Sequence, residues 1–353
     1  MSDVAAQLRA RVRPDICAMR GYVPGEQRNR AVKLNTNESP WGPAPGVHRA
    51  LAELGSDALR QYPDPACTAL RAAAAQRYAV SPESILVGNG SDDCLTIIYR
   101  SLLCPGDRVA VPHPTYGLYD QLAAIQGAEL IHLPWAKGWA LPDLAATGAR
   151  LVLLANPNNP SGTMVPREDL CALARSLDGI LVVDEAYVDF ADEPSGMLPL
   201  LAELPNLIVL RTFSKSFGLA AARLGLLFAH PALTTEFAKV KDSYNVGIAP
   251  QAMGLAALAD PAHHAATVSR IREGRIELEH FCAGRGWALP PTQANFVLCR
   301  VGAQAGAIMR ALRERDLLVR WFDAPELREY LRISVGTPDQ QAALFAAIAD
   351  CAP

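Results

Sequence analysis

Five short runs rich in Val, Ile and Leu recur between residues 84 and 210: Ser84–Val87, Arg108–Val111, Leu151–Ala155, Ile180–Val183 and Leu207–Leu210. Each is apolar at successive positions and too short for a helix, a pattern that suits strands buried on both faces. Between them lie amphipathic stretches such as Asp93–Leu103 and Arg167–Leu177. Strand and helix in alternation predict an α/β fold: a mostly parallel central sheet sandwiched by helices.

The 353 residues are too many for one small core and suit two packed domains. From about Pro250 the pattern changes. Helical stretches near Ala252–Ala259, Thr267–Arg285 and Gly306–Arg315 are interrupted by strand-like Asn295–Cys299 and Leu331–Val335, which predicts a smaller α+β domain. The expected division is an extended N-terminal arm over 1–35 packing with the small domain, a large domain over 36–250, and a small domain over 251–353. A net charge of −3 without a polybasic run gives no footprint for nucleic acid or an anionic membrane. The charged N-terminus is unlike a secretion signal, and no window is long and apolar enough for a membrane span. Eight scattered cysteines form no CxxC pair, which argues against zinc or a disulfide framework and for reduced thiols in a cytoplasm. Adjacent His263 and His264 would point to different sides of a helix, so they read as a solvated pair and no metal site is expected.

In open parallel sheets, ligands bind beyond the carboxyl ends of the strands, and the motifs here follow the apolar runs. After Val87 comes Gly88-Asn89-Gly90-Ser91-Asp92 and then a helical stretch. Glycines admit a close backbone approach and the helix start offers free N–H groups, so this reads as a phosphate cradle or as an ordinary capped turn. Asn156–Gly162 contains two prolines and three asparagines, either a rigid turn or a device that fixes an Asn side chain at the sheet edge. Asp184 ends a buried run, where a carboxylate is costly without a positive partner. Either a pyridinium nitrogen or a structural hydrogen-bond network would answer it. Lys215 follows the fifth run between Ser214 and Ser216, with Arg223 eight residues on. A lysine so placed is a surface residue or a desolvated amine primed for Schiff-base chemistry. The ordered combination meets the binding needs of one cofactor.

With these motifs the chain resembles the aspartate-aminotransferase superfamily, fold type I of the pyridoxal-phosphate enzymes, and within it the histidinol-phosphate aminotransferases. The resemblance also runs through Leu34–Pro40, Tyr62–Pro65, Pro114-Thr115-Tyr116, Thr212–Gly218, Tyr244-Asn245-Val246, Ala294-Asn295-Phe296 and Leu331–Thr337. It implies pyridoxal 5'-phosphate joined to Lys215 as a Schiff base, with Lys215 later moving the substrate proton. Asp184 would pair with the ring nitrogen, Asn159 and Tyr187 would bond the ring hydroxyl, and Tyr116 would stack on the ring. Gly90, Ser91, Asp92, Thr212, Ser214 and Arg223 would surround the phosphate, joined by Tyr62 from the other subunit of a homodimer. Arg332 would grip an α-carboxylate and Arg320 a substrate phosphate, with Tyr22, Asn37 and Tyr244 as further substrate-side residues.

The resemblance implies ping-pong transamination between histidinol phosphate and 2-oxoglutarate. The rivals on the same scaffold are an aromatic amino-acid aminotransferase and a threonine-phosphate decarboxylase-like enzyme. A cofactor-binding transcription regulator is a rival of another class, disfavoured by the acidic charge and the short segment before Leu34.

Overall fold

The computed structural model describes residues 2–19, 21 and 24–351. Its strands, in chain order, are β1 (Val32–Leu34), β2 (Ile85–Gly88), β3 (Arg108–His113), β4 (Glu129–Pro134), β5 (Leu151–Ala155), β6 (Ile180–Asp184), β7 (Leu207–Thr212), β8 (Gly225–Phe228), β9 (Phe296–Arg300), β10 (Leu317–Trp321) and β11 (Tyr330–Ser334). Seven form one sheet in the order β2-β8-β7-β6-β5-β3-β4. All its pairings are parallel except those of β8, which runs against both β2 and β7. The strands β2, β3, β5, β6 and β7 therefore end on one edge.

The expected two-sided burial holds. Val152 and Leu154 of β5 enter a core with Leu70, Leu170 and Leu173, from the helices Thr68–Tyr78 and Arg167–Ser176. Leu151 and Leu153 point the other way, into a core with Leu95, Ile98, Leu122 and Phe237, from the helices Ser91–Leu102, Leu118–Gln126 and Pro231–Val240. Each strand is thus apolar at every position because both faces are covered by helices.

The remaining strands form a four-stranded sheet, β1-β10-β11-β9, in which β1 joins β10 in parallel and the other neighbours are antiparallel. Helix residues Ile271, Leu278, Ile308, Leu312, Leu344 and Ile348 fill its core. Tyr187 and Phe190, just past β6, enter the same core and join it to the larger sheet.

The first residues are not extended throughout. They contain the helices Ser2–Arg9 and Pro14–Ala18, the second opened by a proline at a position that needs no N–H donor. Arg13 donates to the Ile125 carbonyl at 3.0 Å beside the large sheet, whereas Arg28 pairs with Asp316 at 2.6 Å beside the small one. His264 is buried, so the expected solvated pair is corrected. Its ring stacks 4.3 Å from Phe217, and only His263 stays at the surface, facing the Gly42 carbonyl. Among the described residues no helix is long and apolar enough to cross a membrane.

Candidate active site

At the carboxyl edge of the large sheet lies a cavity of about 720 Å³, closed on its far side by β10 and β11. It gathers Ser91, Asp92, Tyr116, Asn159, Asp184, Tyr187, Thr212, Ser214, Lys215 and Arg223 from the large sheet's loops. Asn37, Arg320 and Arg332 come from the opposite wall.

Lys215 follows β7, and its Nζ donates to the Thr36 carbonyl at 3.1 Å. Burial pushes its pKa down to about 8, and the nearby charge of Arg332 pushes in the same direction. Asp184 ends β6 with 4% of its surface exposed. Its carboxylate accepts from the Tyr119 hydroxyl at 3.0 Å and the Ala186 N–H at 3.2 Å. No cation among the described residues pairs with it, and burial lifts its pKa to about 6. A buried carboxylate in this state calls for a positive group from outside the chain, and a protonated ring nitrogen meets that need.

The glycine turn after β2 leads directly into a helix, with Arg223 beside it. Gly90 has φ +86°, and a Cβ there would lie 2.6 Å from the Arg223 guanidinium, so only glycine lets that arginine close over the start of the helix Ser91–Leu102. Arg223 pairs with Asp92 at 3.0 Å and reaches the Ser214 hydroxyl at 3.4 Å. Thr212 Oγ1 donates to Ser214 Oγ at 3.0 Å. Hydroxyls, a guanidinium and a helix N-terminus together fit a phosphate. Asp93 caps the turn, accepting from Asn89 N–H at 2.8 Å and Asn245 Nδ2 at 3.0 Å.

On the opposite wall Arg320 and Arg332 are cross-strand neighbours. Their guanidinium carbons lie 5.2 and 5.6 Å from the ring of Phe322. Arg332 is held by Asn159 Oδ1 at 2.5 Å and the Asn35 carbonyl at 2.7 Å. Asn37 donates to the Tyr187 hydroxyl at 3.1 Å. Two guanidiniums in one cavity present a wall built for anions.

Curated relatives match this chain over nearly their whole length. The model of the family "Aminotransferase class I and II" matches residues 29–348. The chain belongs to the class I and II aminotransferases. This aminotransferase is 43% identical to a histidinol-phosphate aminotransferase of Syntrophotalea carbinolica, covering 96% of the chain and 99% of that relative. It is 39% identical to histidinol-phosphate aminotransferase 1 of a Nostoc species, covering 96% and 97%. Among solved structures, the histidinol-phosphate aminotransferase of Sinorhizobium meliloti in complex with pyridoxal-5'-phosphate superposes with a TM-score of 0.89 at 31% identity, covering 97% of each chain.

Two expected residues of the aminotransferase stand apart from the cavity. Tyr62 and Tyr244 lie outside the cavity and stack on each other, ring centroids 4.4 Å apart, with Tyr62 81% exposed. Tyr244 thus does not line the cavity of its own chain. Tyr22 lies outside the described residues. Sequence reading missed Thr36, Tyr119, Phe322 and the His113–Glu326 pair, 2.8 Å apart at the cavity wall. Phe322, two residues beyond Arg320, and Thr36, beside Asn37 in the run Leu34–Pro40, each carried a nearby signal. The others matter through contacts between distant segments.

Proposed function

We propose that this aminotransferase moves the amino group of histidinol phosphate to 2-oxoglutarate, with pyridoxal 5'-phosphate as cofactor, in two half-reactions that share one site. The observation that carries this reading is the cavity itself, in which Lys215 and the uncompensated carboxylate of Asp184 share one space with the two guanidiniums of Arg320 and Arg332. The histidinol-phosphate aminotransferases among the relatives supply the substrate.

When bound, the cofactor supplies an aldehyde carbon for the amino group and a ring that takes up the electrons left at the substrate Cα. The residues of this chain do the rest. Lys215 Nζ would hold the aldehyde carbon, and as a free amine, its pKa lowered by burial to about 8, it suits proton transfer near neutrality. Asp184 would keep the ring nitrogen protonated. Asn159 and Tyr187 bond the ring hydroxyl, and Tyr116 covers the ring. Gly90, Ser91, Asp92, Thr212, Ser214 and Arg223 hold the phosphate. Arg332 takes the α-carboxylate of the glutamate formed, and Arg320 takes the phosphate of histidinol phosphate, so one wall accepts both substrates in turn. Asn37, Tyr22 and Tyr244 complete the substrate side. The enzyme works as a cytoplasmic homodimer in which Tyr62 of one copy reaches the phosphate of the other, a role that fits its exposure.

The test is a half-reaction on the cofactor-loaded protein. Histidinol phosphate alone should bleach the visible band, and 2-oxoglutarate should restore it. Bleaching by phenylalanine or tyrosine but not by histidinol phosphate would move the substrate to the aromatic class. Lys215→Ala should lose transamination by about a thousandfold or more, since both the anchor and the base are removed.

A further inference from the structure

Behind Lys215, on the side of its loop away from the cavity, lies a cluster of charged groups that transamination as described does not use. Asp189 is at its centre. One carboxylate oxygen accepts from Arg211 at 2.8 Å, on the strand leading to Lys215. The other accepts from the Ser216 hydroxyl at 2.5 Å, on the residue immediately after the lysine, and lies 3.4 Å from His264 Nε2. Arg211 also pairs with Glu185 at 2.8 Å, the neighbour of Asp184 in sequence. His264 stacks on Phe217, two residues past the lysine. Burial would push the Asp189 carboxyl up, but the His264 contact, the Arg211 charge and the Ser216 hydroxyl outweigh it, so the group stays charged.

We infer that Asp189 is a positioning residue for Lys215. It holds the chain on both sides of the lysine, through Arg211 before it and Ser216 after it, and through Arg211 and Glu185 it ties that segment to the end of the strand carrying Asp184. The physical reason is reach. A lysine amine sits at the end of a long flexible stem, so its placement depends on the backbone that roots it. Short hydrogen bonds to a carboxylate are the strong kind and fix that root. A small displacement there is costly for chemistry, since an error of about 1 Å in a reacting group can cost on the order of a hundredfold in rate.

This inference rests on Lys215 being the cofactor lysine, and the experiment separates the two. Holoenzymes carrying Asp189→Asn, Asp189→Glu and Ser216→Ala are compared with Asp192→Asn, which weakens the Arg275–Asp192 pair nearby without touching the lysine segment. The readouts are circular dichroism of the visible cofactor band, single-turnover rate, half-saturation for the amino donor, and melting temperature. Asp189→Asn should cut the single-turnover rate about tenfold or more, with half-saturation changed by less than about threefold and the dichroic band altered. Ser216→Ala should move rate and band the same way by less, Asp189→Glu should recover part of the loss, and Asp192→Asn should affect melting alone. An Asp189→Asn enzyme with lower melting temperature but unchanged rate and band would overturn the inference. If that variant does not fold, Ser216→Ala decides, and an unchanged rate and band there would overturn it too. A visible band that survives in Lys215→Ala would instead sink the cofactor reading beneath it.

Discussion

Asp184 is a carboxylate buried at the expense of the fold, without a cationic partner among the described residues. Its pKa of about 6 in the folded chain lies above the 3.8 of a free aspartate. Between about pH 4 and pH 6 the folded chain therefore holds more protons than the unfolded one, and stability falls as pH rises through that window. A shift of roughly 2 units corresponds to about 3 kcal/mol lost once the group is ionised. Without cofactor, Asp184→Asn should gain stability at pH 8 by roughly 1–3 kcal/mol in denaturant unfolding and gain almost nothing at pH 3.5. With cofactor, the same variant should lose about a hundredfold or more in single-turnover rate, because a neutral amide no longer holds the ring nitrogen protonated. Asp184 and Lys215 stood out in the sequence because Asp184 ends a buried apolar run and Lys215 follows closely on another, where a charged group is out of place unless it has a partner. Tyr119 and Thr36 did not. Each touches one of those two groups from a distant segment, and nothing in the local composition records that contact.

The same contrast holds for the elements. The strands β2, β3, β5, β6 and β7 were readable because burial on both faces leaves a continuous apolar run. The edge strand β4 is covered only in part and shows no such run, and β1 has three residues, too few for any period. The helix Pro338–Cys351 also went unread, its alanine-rich sequence offering little contrast between faces. The turn Asn156–Gly162 is tightly packed at its last residue. Gly162 has φ +76°, and a Cβ there would fall 2.0 Å from Thr292 Oγ1, while its carbonyl accepts from Gln293 N–H at 2.7 Å. Gly162→Ala should therefore cost about 2–4 kcal/mol from backbone strain and overpacking together, measured by thermal or denaturant unfolding. Because Asn159 sits in the same turn and holds Arg332, cofactor affinity and substrate affinity should both fall with it.

At the scale of the whole molecule, the proposal that Tyr62 acts across a dimer can be tested directly. Complementation checks this. Tyr62→Ala and Lys215→Ala should each be strongly impaired alone, yet a refolded mixture should regain activity, since a mixed dimer contains one site with both an intact Lys215 and an intact Tyr62. A mixture no more active than its parts would count against a shared site. The placement of β1 has a different consequence, one of timing. Val32 pairs with Leu317, although 285 residues separate them, and the Thr36 carbonyl that receives the lysine amine lies just past that strand. A ribosome adding about 5–20 residues per second needs roughly 15 to 60 seconds to span that gap. In the later part of that interval, once Phe228 has been made, the large sheet has all its strands, but the segment that steers Lys215 still has nothing to dock on. The nascent enzyme therefore stays incompetent until synthesis is almost over, and a chain cut short before β10 would carry the reactive lysine without the wall that directs it.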